Sequence, residues 1–124
     1  MNELNYTNLV KEILDFRNER KWNKFHTIQN LSAALNIEAS EIQELLLWKN
    51  NDEVKSDLNN PDFRKELSGE IADVYMYLHF LCDAAGINAL SAVKEKLEIN
   101  KKRFPISDFN GTFSRENRKE IKKC

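Results

Sequence analysis

Glycine and proline are scarce, with 3 Gly and 2 Pro among 124 residues. Sheet proteins of this size turn often and place Gly and Pro at those turns, so the scarcity argues against an all-β fold and against collagen-like or linker-rich chains. Cysteine is scarce as well. Cys82 and Cys124 have neither the spacing of a zinc or redox motif nor a nearby partner, which argues against a disulfide scaffold and predicts free thiols in a reducing compartment. The two histidines are His26 and His79, and neither stands three positions after a glutamate. A di-iron carboxylate bundle, which needs Glu-x-x-His on two helices, is thereby disfavoured. Neither sign of charge dominates: 19 Lys and Arg face 20 Asp and Glu, for a net charge of -1. No overall basic field favours nucleic acid, and none is expected as a partner. No apolar run approaches the roughly 18 residues of a membrane span, and Met1 to Val10 lacks the basic stretch and apolar core of a secretion signal. A cytoplasmic protein without a membrane partner is expected.

What the chain does contain is 31% charged and 41% apolar residues, the balance of a helical globular domain. One all-α domain over residues 1–106 is expected, followed at 107–124 by a polar tail, basic at its end and partly disordered. Apolar residues at Leu9, Val10, Ile13, Leu14 and Phe16 predict a first helix over Tyr6 to Trp22. Thr27 is a suitable N-cap for a second helix reaching Trp48. Lys49 to Asn60, rich in Asn, Asp and Lys, reads as a loop with room for a short turn. Asn60-Pro61 then offers an N-cap followed by proline at the first helical position, and Gly86 offers a C-terminal cap, so a long third helix spans Pro61 to Ala85. Asn88 caps a fourth helix that runs to about Lys102, ahead of Pro105. The expected architecture is a four-helix bundle. Val74 to Cys82 is apolar nearly all round, which calls for burial on two sides and predicts a homo-oligomer.

Two of these helices carry carboxylates where a core helix should be apolar. At about 100° per residue, with Glu38 set at zero, Leu31, Leu35 and Ile42 fall between about 20° and 60°, and Glu41 near -60°. With Glu70 at zero, Phe63, Leu67, Val74 and Leu81 occupy the same arc, and Asp73 again lies near -60°. Four acids in matching register on two apolar stripes carry a desolvation cost of several kcal/mol each unless a cation compensates. Neither stripe has a Lys or Arg between its acids. Hard oxygen ligands suit Mg²⁺, with Mn²⁺ as a substitute, so Glu38, Glu41, Glu70 and Asp73 form a candidate metal site. The competing reading leaves the acids solvated at the edge of each stripe.

Other groups could hold a ligand. Lys96, Asn100 and Arg103 share one face of the fourth helix and could grip a phosphate chain, although cations near a helix C-terminus also serve the macrodipole. Trp48 and Tyr77 each lie beside an acid and could present a ring to a nucleobase. Trp22, Phe25 and His26 form a second aromatic cluster. Aromatics at helical spacing also serve as core.

Together these residues resemble a known family. Trp22-Asn-Lys-Phe-His26, Glu38-Ala-Ser-Glu41 with Trp48, Glu70-Ile-Ala-Asp73, and Asn100-Lys-Lys-Arg103-Phe-Pro105 follow one another as in the MazG-like all-α nucleoside triphosphate pyrophosphohydrolases, nearest to the dCTP pyrophosphatase branch. The chain departs at Ala39-Ser40, where the family has a Val-Gly pair. The resemblance implies Mg²⁺-dependent cleavage of a (deoxy)nucleoside triphosphate, dCTP-like, to the monophosphate and pyrophosphate, an activity that sanitises nucleotide pools. It implies that Glu38, Glu41, Glu70 and Asp73 act as metal ligands and catalytic acids. It further implies that Lys96, Asn100 and Arg103 contact phosphate or sugar, that Trp22, His26, Trp48 and Tyr77 line the base pocket, and that the assembly is a homodimer or a dimer-of-dimers tetramer. The alternative function is a non-catalytic helical dimeric regulator or interaction module that uses the apolar part of the third helix as its partner surface.

Overall fold

The computed structural model describes residues 4–111. It is all-helical over them: α1 (Tyr6–Glu19), a 3₁₀ turn (Trp22–Phe25), α2 (Ile28–Leu46), α3 (Asn51–Asp57), α4 (Pro61–Ala85) and α5 (Ala89–Arg103). The expected disorder of the tail, for residues 112–124, and the Cys124 thiol lie outside the described residues. The chain divides into two compact units, Met1–Ile87 and Asn88–Cys124.

In the first unit the caps do what the side chains dictate. The Asn5 side chain accepts from the Thr7 and Asn8 amides, Thr27 from Asn30, and Asn60 from Asp62 ahead of Pro61. These bonds satisfy amides that have no partner inside the helix. Gly86 closes α4 at φ 65°, the left-handed conformation that a residue without a Cβ adopts at little cost.

Three boundaries differ from expectation. The first helix stops at Glu19 rather than Trp22, because Lys21 turns left-handed at φ 55° and starts the 3₁₀ turn. The second stops at Leu46 rather than Trp48: Leu47 is extended, and Trp48 has φ 66°. The expected loop at 49–60 contains a helix, α3, so the described residues form five α-helices rather than four. Its seven residues are too few to show a periodicity. A reciprocal cap supports it, with Asn50 Oδ1 accepting from the Glu53 amide at 3.0 Å and Glu53 Oε2 from the Asn50 amide at 2.9 Å. Lys49 pairs with Asp57 at 2.6 Å and lies over the Phe63 ring, tying α3 to the start of α4.

α2 and α4 form the main packing pair, with α1 against α4. The buried core takes one apolar residue from each: Ile13, Leu31 and Phe80, packed by Leu14, Met76, Tyr77 and Leu81. In the second unit Asn88 caps α5 by accepting from the Ser91 amide. After α5, the Pro105 carbonyl accepts from the Asp108 and Phe109 amides, and Phe104 meets Phe109 edge to face.

Candidate metal centre

Glu38 and Glu41 sit one turn apart on α2, and Glu70 sits on α4, the helix that packs against it. Packing turns the two acid-bearing edges toward each other. One carboxylate oxygen from each of Glu38, Glu41 and Glu70 lies within 4.8 Å of the other two, and all three residues are half-buried. Glu70 Oε2 is fully buried and has no hydrogen-bond partner. Asp73 is not one of this triad, but its charge acts on both Glu38 and Glu70.

The electrostatics are those of crowded like charges. Burial, then the Glu41 charge and a hydrogen bond with the Glu41 carboxyl, then the charges of Asp73 and Glu70, push Glu38 above the ordinary carboxylate range. Glu70 is also raised, chiefly by the Glu41 carboxyl close to it, then by burial and by the charges of Glu41, Asp73 and Glu66. Glu38 and Glu70 are thus penalised for being charged beside their neighbours. A divalent cation reverses that penalty. An oxygen-only donor set with an orphaned buried carboxylate oxygen suits a hard ion such as magnesium or manganese, so Glu38, Glu41 and Glu70 could hold one.

Tyr77 leads away from the acids. Burial and then the charges of Glu38, Asp73 and Glu41 raise its phenol, and its ring meets Phe80 edge to face at 5.6 Å. The His26 ring lies 4.9 Å from Phe80 on another side of this aromatic group. The 3₁₀ turn that carries His26 is tied to α2 by Asn30, whose side chain donates to the Phe25 carbonyl at 3.0 Å. His26 Nδ1 is buried and unpartnered, and burial, followed by the nearby Arg17 charge, lowers the affinity of the ring for a proton.

The remaining candidates are not among these three ligands. Trp22 is exposed and meets Phe16 edge to face. Trp48 follows α2 with a ring that is 93% exposed, on a backbone whose left-handed turn costs a bulky residue on the order of 1 kcal/mol. Lys96, Asn100 and Arg103 are on α5, in the second unit; Lys96 and Asn100 line one shallow groove there with Ala92, Val93 and Leu97.

One pair was not anticipated from the sequence. Arg17 is buried, with 6% exposed, and its guanidinium holds Asp83 at 2.8 Å. A signal for it exists: Arg17 stands four residues after Ile13 on the buried stripe of α1, where a cation is out of place.

Residues 33–116 match the model of the MazG-like family. The chain is 35% identical over 92 residues to dCTP pyrophosphatase 1 of Rattus norvegicus, covering 74% of this chain and 54% of that protein. It is 36% identical over 91 residues to the Homo sapiens protein of the same name, covering 73% and 54%. The chain thus spans about half the length of the curated relatives it matches. A solved pyrophosphatase from Archaeoglobus fulgidus superposes with a TM-score of 0.74 at 37% identity, covering 85% of this chain and 98% of that one. The family match runs through both acid pairs and beyond α5, over more than half of the sequence, and by that measure the chain belongs to the MazG-like family.

Proposed function

We propose that the protein is a nucleotide pyrophosphohydrolase that cleaves a (deoxy)nucleoside triphosphate, dCTP-like, between its α and β phosphates. The reading rests above all on three carboxylate oxygens, from Glu38, Glu41 and Glu70, within 4.8 Å of one another across α2 and α4. The names of the relatives, dCTP pyrophosphatase and pyrophosphatase, favour the same chemistry.

Glu38, Glu41 and Glu70, with Asp73 beside them, would hold Mg²⁺, or Mn²⁺ in its place. When bound, such an ion screens the triphosphate charge and lowers the pKa of a water. The residues of the chain do the rest. An acid of the cluster accepts the proton of the water that attacks phosphorus, and its neighbours fix the geometry of that attack. Lys96, Asn100 and Arg103 contact the phosphates or sugar, with the Arg fork and the Lys point charge taking different oxygens. Trp48 stacks on the base, and Trp22, His26 and Tyr77 border it. The products are the monophosphate and pyrophosphate, consistent with a cytoplasmic role in clearing unwanted nucleotides.

Half-exposed Ile71, Tyr75 and Leu78 form one stripe along α4, which favours an assembly of two or more copies. ³¹P NMR of dCTP incubated with protein and Mg²⁺ tests the activity. Pyrophosphate and dCMP are the expected products, lost in Glu41→Ala and Asp73→Ala. Intact triphosphate with the parent protein would favour the non-catalytic regulator instead, and inorganic phosphate with dCDP would place the cut elsewhere.

A further inference from the structure

The Arg17–Asp83 pair has no part in the chemistry proposed above, yet it is the one ion pair described here with a buried cation. The Arg17 side chain is 7% exposed, against 43% for Asp83. Burying a guanidinium is costly, and a half-solvated carboxylate compensates only in part. The arrangement calls for a reason beyond joining α1 to α4.

Its surroundings supply one. The Arg17 guanidinium carbon lies 5.9 Å from the centroid of the Phe80 ring, and the His26 ring rests 4.9 Å from the same centroid. Arg17 Nε donates to Asn18 Oδ1 at 3.0 Å, so the fork is held from two directions. The charged group that acts on His26 is Arg17, from α1. Asp83, from α4, pairs with that Arg17 guanidinium. Lys24, on the 3₁₀ turn, lies over the Phe25 ring, and α2 brings the neutral Asn30.

We propose that Arg17, pinned by Asp83, is a positioning residue for nucleobase recognition: it backs the Phe80 ring on which His26 rests and governs which hydrogen-bonding edge His26 offers to a base. The proposal depends on the reading above that His26 borders the base. A protonated imidazole donates from both nitrogens and suits a keto oxygen, whereas a neutral one keeps a lone pair. A lone pair on the accessible edge of the ring accepts from an exocyclic amine, as cytosine presents, and repels the keto oxygen of thymine. A fixed cation near the ring disfavours its protonation and so preserves that acceptor. Asp83 limits the effect by partly offsetting the cation.

With two histidines in the chain, the His26 ring can be followed by NMR titration, its signal assigned with His79→Gln. Arg17→Met should raise the His26 midpoint toward the unperturbed value of about 6.5. Arg17→Lys, which keeps the charge, should hold it near the parent value, and Asp83→Asn, which leaves the cation uncompensated, should lower it. Steady-state kinetics on dCTP and dTTP from pH 5.5 to 8 give the second readout. The dCTP:dTTP ratio of kcat/KM should stay nearly flat in the parent down to pH 6. In Arg17→Met it should begin to fall at a higher pH than in the parent, in step with the raised His26 midpoint. A pair that only staples α1 to α4 would move the midpoint in the same direction, or not at all, in Arg17→Met and Asp83→Asn, and that result overturns the proposal. An unchanged base ratio in Arg17→Met with a shifted midpoint also overturns it. Absence of turnover in the parent overturns the nucleotide reading instead, and the base-recognition role with it, whatever the midpoints do.

Discussion

Glu38 is costly when charged, because burial and three neighbouring acids all act against its ionised form. Its proton affinity is higher in the folded than in the unfolded chain, so the folded state binds the extra proton. The associated stability is fully present below the unfolded pKa and is lost as pH rises through the higher folded value. Metal-free protein should therefore melt at a lower temperature at pH 7.5 than at pH 5, and Glu38→Gln should flatten that dependence and raise the metal-free Tm at pH 7.5 by a few degrees. Calorimetry at the two pH values with EDTA, then with Mg²⁺, checks this; an equally steep fall in the variant would mean that Glu38 does not carry the penalty. Trp48 gives a second residue-scale expectation. Its ring is almost wholly exposed and its removal opens no cavity, so Trp48→Ala should leave the Tm within about 1 °C. Stacking on an aromatic contributes roughly 1 to 3 kcal/mol, so kcat/KM for the preferred nucleotide should fall about tenfold and preference among dCTP, dTTP, dATP and dGTP should narrow. Unchanged ratios would remove Trp48 from the base pocket.

At the scale of elements, α4 carries the most structure. It supplies Glu70 to the carboxylate cluster, Phe80 to the core, Tyr77 between them and Asp83 to Arg17. Its register must hold over twenty-five residues, and its ends fix that register. Gly86 turns the chain at φ 65° with nothing within 4 Å of where a Cβ would stand. Gly86→Ala therefore meets no steric neighbour and pays only the conformational term, about 1 kcal/mol, read as a lower urea midpoint with an unchanged slope. A loss several times larger would show that the turn is constrained by more than its backbone. α3 teaches a different lesson. Asn and Asp in 50–59 suggest a loop because they favour turns, yet the same preference makes Asn50 a cap, and one reciprocal cap with a Lys49–Asp57 pair supports two turns of helix.

At the scale of the whole molecule, few apolar side chains are buried. Ile13, Leu31 and Phe80 are the buried apolar residues among those described, a small core for 124 residues. Ile71 is 52% exposed and Tyr75 and Leu78 nearly 40% each; with Leu9 and Met76, Ile71 and Tyr75 line an open groove of about 520 Å³ between α1 and α4. Sedimentation equilibrium at micromolar concentration should return at least twice the 14.6 kDa chain mass, and Ile71→Glu should shift the species toward monomer by placing a charge in the apolar contact. A parent protein at 14.6 kDa would mean that this stripe remains in water.

Much of the helical layout was legible in the sequence because it depends on neighbours in the chain. Asn60-Pro61 and Gly86 delimit α4, Thr27 starts α2 and Asn88 starts α5 through hydrogen bonds that span a few residues, and a 3.6-residue period places Glu38 and Glu70 beside apolar stripes whatever the rest of the chain does. Convergence is not local. Which carboxylate oxygens approach one another depends on how α2 crosses α4, and that crossing gathers Glu38, Glu41 and Glu70 and leaves Asp73 beside them. Likewise, its place on the apolar stripe singles out Arg17 but not its partner Asp83, and only the packing of α1 on α4 buries the guanidinium and brings it to Asp83 and Phe80. Local backbone geometry determines the face on which a charge stands; desolvation and the identity of its partners arise only when helices distant in sequence close on one another.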